Sequence, residues 1–182
     1  MWFETPFGPA WAAVNTDGAL TGFSFREFDD GPARNAKVER QINEFFAGKR
    51  QEFDFPLAPS GTEFQRRVWK ELLNIPFAET ISYGELARRI GNPNASRAVG
   101  LANGKNPIAV IVPCHRVIGT NGKLTGYGGG LDLKDKLLTW ERAVSGKSIA
   151  GKTGPLIRDD LQSRDGKGAV TLVVFQHTET SH

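Results

Sequence analysis

The chain has 182 residues, a net charge of +3, 39% hydrophobic residues and one cysteine, enough for one good-sized domain or two small ones sharing an interface. No run of about 18 uncharged apolar residues occurs, and the opening MWFETPFGPAW has no basic stretch ahead of an apolar core, so neither a membrane span nor a signal peptide is expected. A lone cysteine forms no internal disulfide and no cysteine-rich zinc site, which points to a reducing, cytoplasmic protein (nuclear if the host is eukaryotic).

The charge is unevenly spread. Residues 1–60 carry 6 Lys/Arg against 9 Asp/Glu, and residues 61–146 carry 12 against 7. A basic half joined to an acidic one suggests that one part meets a polyanion.

In chain order, the first 25 residues place the turn signals Phe7-Gly8-Pro9 and Asn15-Thr16-Asp17-Gly18 between short apolar runs, predicting antiparallel strands. Val38, Ile42, Phe45 and Phe46 follow at helical spacing, with Gly48 as the stop. QEFDFPLAPSG reads as a short strand running into a linker, which sets a domain boundary near Pro59 to Gly61.

The next segment reads as short helices. Thr62 and Gln65 have capping-box spacing ahead of a Phe64, Val68 and Leu72 face. Ser82 and Glu85 repeat the device, with Leu86 and Ile90 inward and Gly91 as terminator. After the turn GNPN, ASRAVGLANG predicts a third helix in which Ala98, Val99 and Ala102 pack closely. Two short helices across a glycine turn, with an arginine on the second, fit a helix-turn-helix and fit a generic helical hairpin equally well.

NPIAVIVPCHRVIG then reads as a buried extended segment, TNGKLTGYGGG as a glycine-rich loop, and LDLKDKLLTWERA as a helix with Leu133, Leu137 and Trp140 on its face. Beyond Val144 the chain turns polar and glycine-rich, and Ala169 to Thr180 reads as a strand. Cys114 alone is ambiguous, because free cysteines are commonly packing residues.

The order of Arg97-Ala98-Val99-Gly100, Asn106-Pro107, Pro113-Cys114-His115-Arg116-Val117 and Gly126-Tyr127-x-Gly129-Gly130 resembles the O6-alkylguanine-DNA alkyltransferases, or methylated-DNA–protein-cysteine methyltransferases. The resemblance covers residues 60–143 well, and the N-terminal part only through Thr5-Pro6-Phe7-Gly8-Pro9. It implies an α/β (α+β) chain: a small ribonuclease-H-like α/β domain over 1–60, a winged helix-turn-helix alkyltransferase domain over 61–146, and a tail over 147–182. The implied activity is single-turnover DNA repair, in which Cys114 irreversibly takes the alkyl group from O6-alkylguanine, with O4-alkylthymine as a further candidate lesion.

The residue types suit that chemistry. A thiolate displaces at an alkyl carbon and ends as a stable thioether. The resemblance makes Cys114 the nucleophile, activated by a lowered thiol pKa. His115 takes its proton through a water, Glu141 orients the imidazole, and Tyr83 assists the departing purine. Asn106 ties the second helix to the cysteine segment. Val112, Pro113, Tyr127, Gly128 and Gly129 line the substrate pocket. Because the lesion must leave the stack, Arg97 fills its place from the minor groove, with Ser96, Ala98, Tyr83, Lys105 and Arg116 also on DNA. The implied partner is double-stranded DNA, with no membrane, cofactor or metal. The protein is expected to be a monomer in solution, and cooperative binding along DNA is a further expectation.

Departures from the family pattern are the absent zinc cysteines, Gly128 where others carry serine or alanine, Asn103-Gly104 in place of bulkier residues, and a tail without counterpart. Three rivals are a Cys-His hydrolase, for which nothing resembles a nucleophile elbow, an alkyltransferase-like binder of damaged DNA, whose cysteine is replaced, and a winged-helix transcription factor. The last should carry polar base-reading side chains, where this helix has mainly small ones.

Overall fold

The structure is a computed structural model and describes residues 1–31 and 33–146, which fall within one compact unit; the strand expected over Ala169 to Thr180 lies outside the described residues. The chain opens with β1 (Trp2–Thr5), β2 (Gly8–Val14) and β3 (Leu20–Ser24), an antiparallel sheet in the order β1-β2-β3. Both turn signals close it. The Thr5 hydroxyl donates to the Gly8 carbonyl at 2.6 Å, and Asn15 Oδ1 accepts the amides of Asp17 and Ala19. Alternation buries Phe3, Ala10, Ala12 and Val14 on one face.

Helix α1 (Ala36–Phe46) starts where Asn35 Oδ1 accepts the Lys37 and Val38 amides, and it buries Val38, Ile42, Phe45 and Phe46. It ends in a Schellman motif: Gly48, at φ +71°, donates to the Phe45 carbonyl, and Lys49 donates to Glu44. QEFDFPLAPSG is not a strand of its own; its ladder contact is a single parallel bridge from Leu57 to Leu20. Pro56 and Pro59, which have no amide hydrogen, keep a longer ladder from forming there.

Helices α2 (Glu63–Leu72), α3 (Tyr83–Arg89) and α4 (Ser96–Gly104) follow. Thr62 and Gln65 form the reciprocal capping box of α2, and Ser82 caps α3 through the Glu85 amide. A second Schellman motif ends α3: Gly91, at φ +76°, donates to Arg88, and Asn92 donates to Ala87. A 3-10 turn, Pro93–Ala95, leads into α4. The Trp69 indole of α2 donates to the Ala102 carbonyl at 2.8 Å and anchors α4. Val99 and Ala102 are buried as expected, but Ala98 is exposed.

A two-residue β4 (Ile81–Ser82) pairs in parallel with β5 (Val117–Ile118), and α5 (Leu131–Val144) closes the described chain. Leu137 of α5 is buried, and Trp140 packs on Phe7, Phe45, Phe46 and Phe77. That aromatic cluster ties α5 to the N-terminal helix; such pairs contribute about 0.5–1.5 kcal/mol each beyond their burial.

Candidate active site

The segment expected to be extended, 106–119, is strand only at its end, in β5; from 106 to 116 it is coiled instead. The Phe23 amide of β3 donates to the Pro107 carbonyl, and the Ala109 amide donates back to Phe23, each at 2.9 Å. Asn106 then replaces a sheet partner. Its Oδ1 accepts the Ile108 amide at 3.0 Å, and its Nδ2 lies 2.8 Å from the Val112 carbonyl, 3.1 Å from Cys114 Sγ and 3.3 Å from the Ile108 carbonyl. Two N–H groups cannot serve three acceptors at once, and the 3.3 Å contact is the weakest. Val110 is held at φ +69°, a costly conformation for a β-branched residue. Cys114–Arg116 is a 3-10 turn rather than a strand.

Cys114 is 5% exposed and borders a cavity of about 250 Å³. Tyr127, Gly128 and Gly129 line it, as do Asn103, Gly104, Asn106, the end of β3 at Phe23 and Ser24, and Phe25 and Arg26 just after it. Val112 and Pro113 do not. Val112 is buried with its carbonyl on Asn106, and Pro113 borders a separate, larger hollow beside Ile75 and Phe77.

Burial pushes the Cys114 thiol above its ordinary pKa, with Asn106 and the charge of Lys134 opposing it only in part. The expectation of a lowered thiol pKa therefore fails for the resting protein, and a base has to remove the proton. His115 is fully buried, and burial lowers its pKa despite the Glu141 carboxylate, so the ring is neutral. Burial would raise the Glu141 carboxyl, but His115 and Arg116 overcome this and hold it at about 2. A carboxylate only accepts, so His115 Nε2, 2.7 Å away, carries the hydrogen and Nδ1 keeps its lone pair. Nδ1 has no partner among the described residues.

Arg116 corrects an expectation of DNA contact. It is 6% exposed, grips Glu141 through Nε and Nη2, donates from Nη1 to the Ile75 carbonyl and lies over the Phe77 ring. The Ala78 amide, at φ +60°, completes the cradle at 3.1 Å from Glu141 Oε2. A buried carboxylate needs such compensation, because its desolvation costs several kcal/mol.

Lys134 was not anticipated. Its position on α5 is fully buried, and Nζ donates to the Val117 and Thr125 carbonyls at 2.6 and 2.8 Å, 5.8 Å from the Tyr83 ring centroid. Burial lowers its pKa to about 8, against the attraction of Cys114. The one available signal was its place three residues before Leu137, on the inward stripe of the helix. Tyr83 donates to the Thr125 and Gly126 carbonyls at 3.2 and 3.4 Å, and burial raises its pKa. A Cβ on Gly100 would sit 3.7 Å from the Tyr83 ring, in ordinary contact.

On the outer face of α4, Arg97, Ala98, Leu101, Gly104 and Lys105 are exposed, with no carboxylate on the helix. Among the described residues Arg97 and Lys105 have no ion-pair partner, whereas Arg88 and Arg89 of α3 are engaged by Glu85. Ser96 is half-buried at the start of α4. Leu101, 69% exposed, is a large apolar residue on this face that the sequence reading passed over. No helix among the described residues is long and apolar enough to cross a membrane.

Residues 63–143 match the model of the 6-O-methylguanine DNA methyltransferase DNA-binding domain. The methylated-DNA–protein-cysteine methyltransferase of Methanosarcina acetivorans is 52% identical over 148 residues, covering 76% of this chain and 95% of that protein. The protein of the same name from Mycobacterium bovis is 64% identical over 149 residues, covering 77% and 90%. A crystal structure of Mycobacterium tuberculosis OGT in complex with DNA superimposes with a TM-score of 0.70 at 49% identity, covering 79% of this chain and 92% of that one.

Proposed function

The chain belongs to the methylated-DNA–protein-cysteine methyltransferase family, and from that premise we propose that Cys114 is the acceptor, taking one alkyl group from O6-alkylguanine in DNA. The thiol proton passes to His115 Nδ1, through a water, and the imidazolium is balanced by Glu141. Sγ then forms a bond to the alkyl carbon as the carbon–O6 bond breaks. The guanine departs as an anion that regains a proton, and Cys114 remains a thioether. Each molecule acts once.

The observation that carries this reading is the pairing of a buried thiol with an unpartnered, neutral His115 Nδ1 whose other nitrogen is committed to a carboxylate. Tyr83 exchanges its 3.2 and 3.4 Å backbone bonds for the purine and steadies the anion. Asn106 positions the sulfur.

DNA is met by the outer face of α4. Arg97, flanked by Ser96, Ala98 and Lys105, enters the minor groove and fills the space of the rotated nucleotide. On this reading residues 61–146 are a winged helix-turn-helix transfer domain. Residues 1–60 are a ribonuclease-H-like buttress that braces the cysteine segment through Phe23 and walls the cavity with Phe25 and Arg26. The protein works as a cytoplasmic monomer.

Intact mass spectrometry after incubation with an O6-methylguanine duplex tests the reading. The expected result is one methyl group, permanently on Cys114, with one equivalent of lesion consumed. Unmodified protein with bound DNA, or repeated turnover, overturns it.

A further inference from the structure

Three buried side-chain polar atoms among the described residues have no hydrogen-bond partner: His115 Nδ1, Asn103 Oδ1 and the Tyr127 hydroxyl. The first is the base of the proposed transfer. The other two belong to residues that border the Cys114 cavity.

Asn103 lies near the end of α4, 2% exposed. Its Nδ2 donates to the Cys114 carbonyl at 3.2 Å. A carbonyl only accepts, so this bond fixes the amide's orientation and leaves Oδ1 as a free acceptor. A buried acceptor without a partner is costly, and this one belongs to a residue that lines the same cavity as Cys114.

The lesion's chemistry indicates what that acceptor takes. Alkylation at O6 removes the N1 hydrogen of guanine, so its exocyclic 2-amino group supplies the only remaining N–H donors of the base. O4-alkylthymine has lost its N3 hydrogen and offers none, and O6-alkylhypoxanthine lacks the amine. We propose that Asn103 is a specificity-determining residue whose Oδ1 accepts a hydrogen bond from the 2-amino group of O6-alkylguanine, making the cavity selective for alkylated guanine over alkylated thymine. A neutral amide suits the position, because a carboxylate there would repel the departing purine anion. The proposal rests on the transfer reading above.

The test uses the full chain and three duplexes of one sequence, carrying O6-methylguanine, O6-methylhypoxanthine or O4-methylthymine. Single-turnover rates are read as methylated Cys114 by intact mass. Wild type should methylate from guanine about ten-fold or more faster than from either base lacking the amine, the size of one hydrogen bond to an otherwise unpaired group. Asn103→Leu should slow the guanine reaction by a similar factor and bring the three rates together. Equal rates on all three duplexes with wild type overturn the proposal without needing a variant. Full selectivity retained in Asn103→Leu also overturns it. No methyl on Cys114 from any of the three duplexes would instead remove the transfer reading, and this inference with it.

Discussion

The outer face of α4 and the layer behind Cys114 use the same kinds of charged residue in opposite ways. Outside, Arg97 and Lys105 stand in solvent on either side of Leu101, with no ion-pair partner among the described residues and no carboxylate on their helix. Inside, Arg116, Lys134, His115 and Glu141 are buried and nearly every polar atom is engaged. An unpaired surface cation costs little and stays available to phosphate. A buried cation survives only with dedicated acceptors, and in exchange it fixes geometry. The net charge of 61–146 therefore overstates the cations offered to DNA, since Arg116 and Lys134 point inward.

If the two regions divide recognition from chemistry, variants should separate by substrate. Cys114→Ala gives the largest effect: methyl transfer should vanish on every substrate, while affinity for a lesion duplex stays within about two-fold, since an apolar trim leaves α4 untouched. Electrophoretic mobility shift beside intact mass measures both; loss of both together would erase the distinction.

Glu141→Gln comes next. It strips the buried Arg116 of its counter-charge, a change that typically costs about 3–5 kcal/mol, and it frees the imidazole. Urea unfolding should show that loss, and transfer should fall equally on duplex and on free O6-benzylguanine. The sign with pH follows from the depressed carboxyl. Held at about 2 against an ordinary 4.5, Glu141 stabilises the fold fully above about pH 4.5, and that contribution fades as pH falls toward 2. The variant should lack this part of the acid slope.

Arg97→Ala should show the opposite pattern. Unstacking a base costs a few kcal/mol, so losing the side chain proposed to fill the gap should slow duplex repair by about 30-fold, or roughly 2 kcal/mol. Attack on free O6-benzylguanine should change by less than about three-fold. Equal losses on both substrates would count against the assignment.

Elements whose ends are satisfied locally were readable from the chain. Thr62 with Gln65, Ser82 with Glu85, and the glycines at 48 and 91 all act within a few residues of the helix they delimit. The stretch from 106 to 116 was not readable as a coil, because its backbone bonds go to a side chain, Asn106, and to Phe23 more than 80 residues earlier. The pairing of His115 with Glu141 was readable through resemblance. The role of Arg116 was not, since nothing beside it in sequence signals that Glu141, 25 residues on, claims its guanidinium. Phe25 and Arg26 left no signal for the same reason: cavity walls supplied by a bend distant in sequence leave no local pattern.

Lys134 gives the subtlest test of the inner layer. Its ammonium joins Val117 of β5 to Thr125 of the glycine-rich loop, faces the Tyr83 ring, and lowers the pKa of both Cys114 and His115 by its charge. With a pKa of about 8 the charge is present at neutral pH and disappears on mild alkalinisation. Lys134→Met keeps the length of the side chain and removes the charge, so transfer near pH 7 should slow by about ten-fold, in line with a group worth about 1.4 kcal/mol to the thiolate. The wild-type advantage should then shrink as pH rises through about 8, because the wild-type lysine loses the same proton the variant never had. Lys134→Arg, which stays charged, should show no such convergence with Lys134→Met. A wild-type-to-Met ratio that stays constant from pH 6.5 to about 9.5 would reduce Lys134 to a strut for the loop.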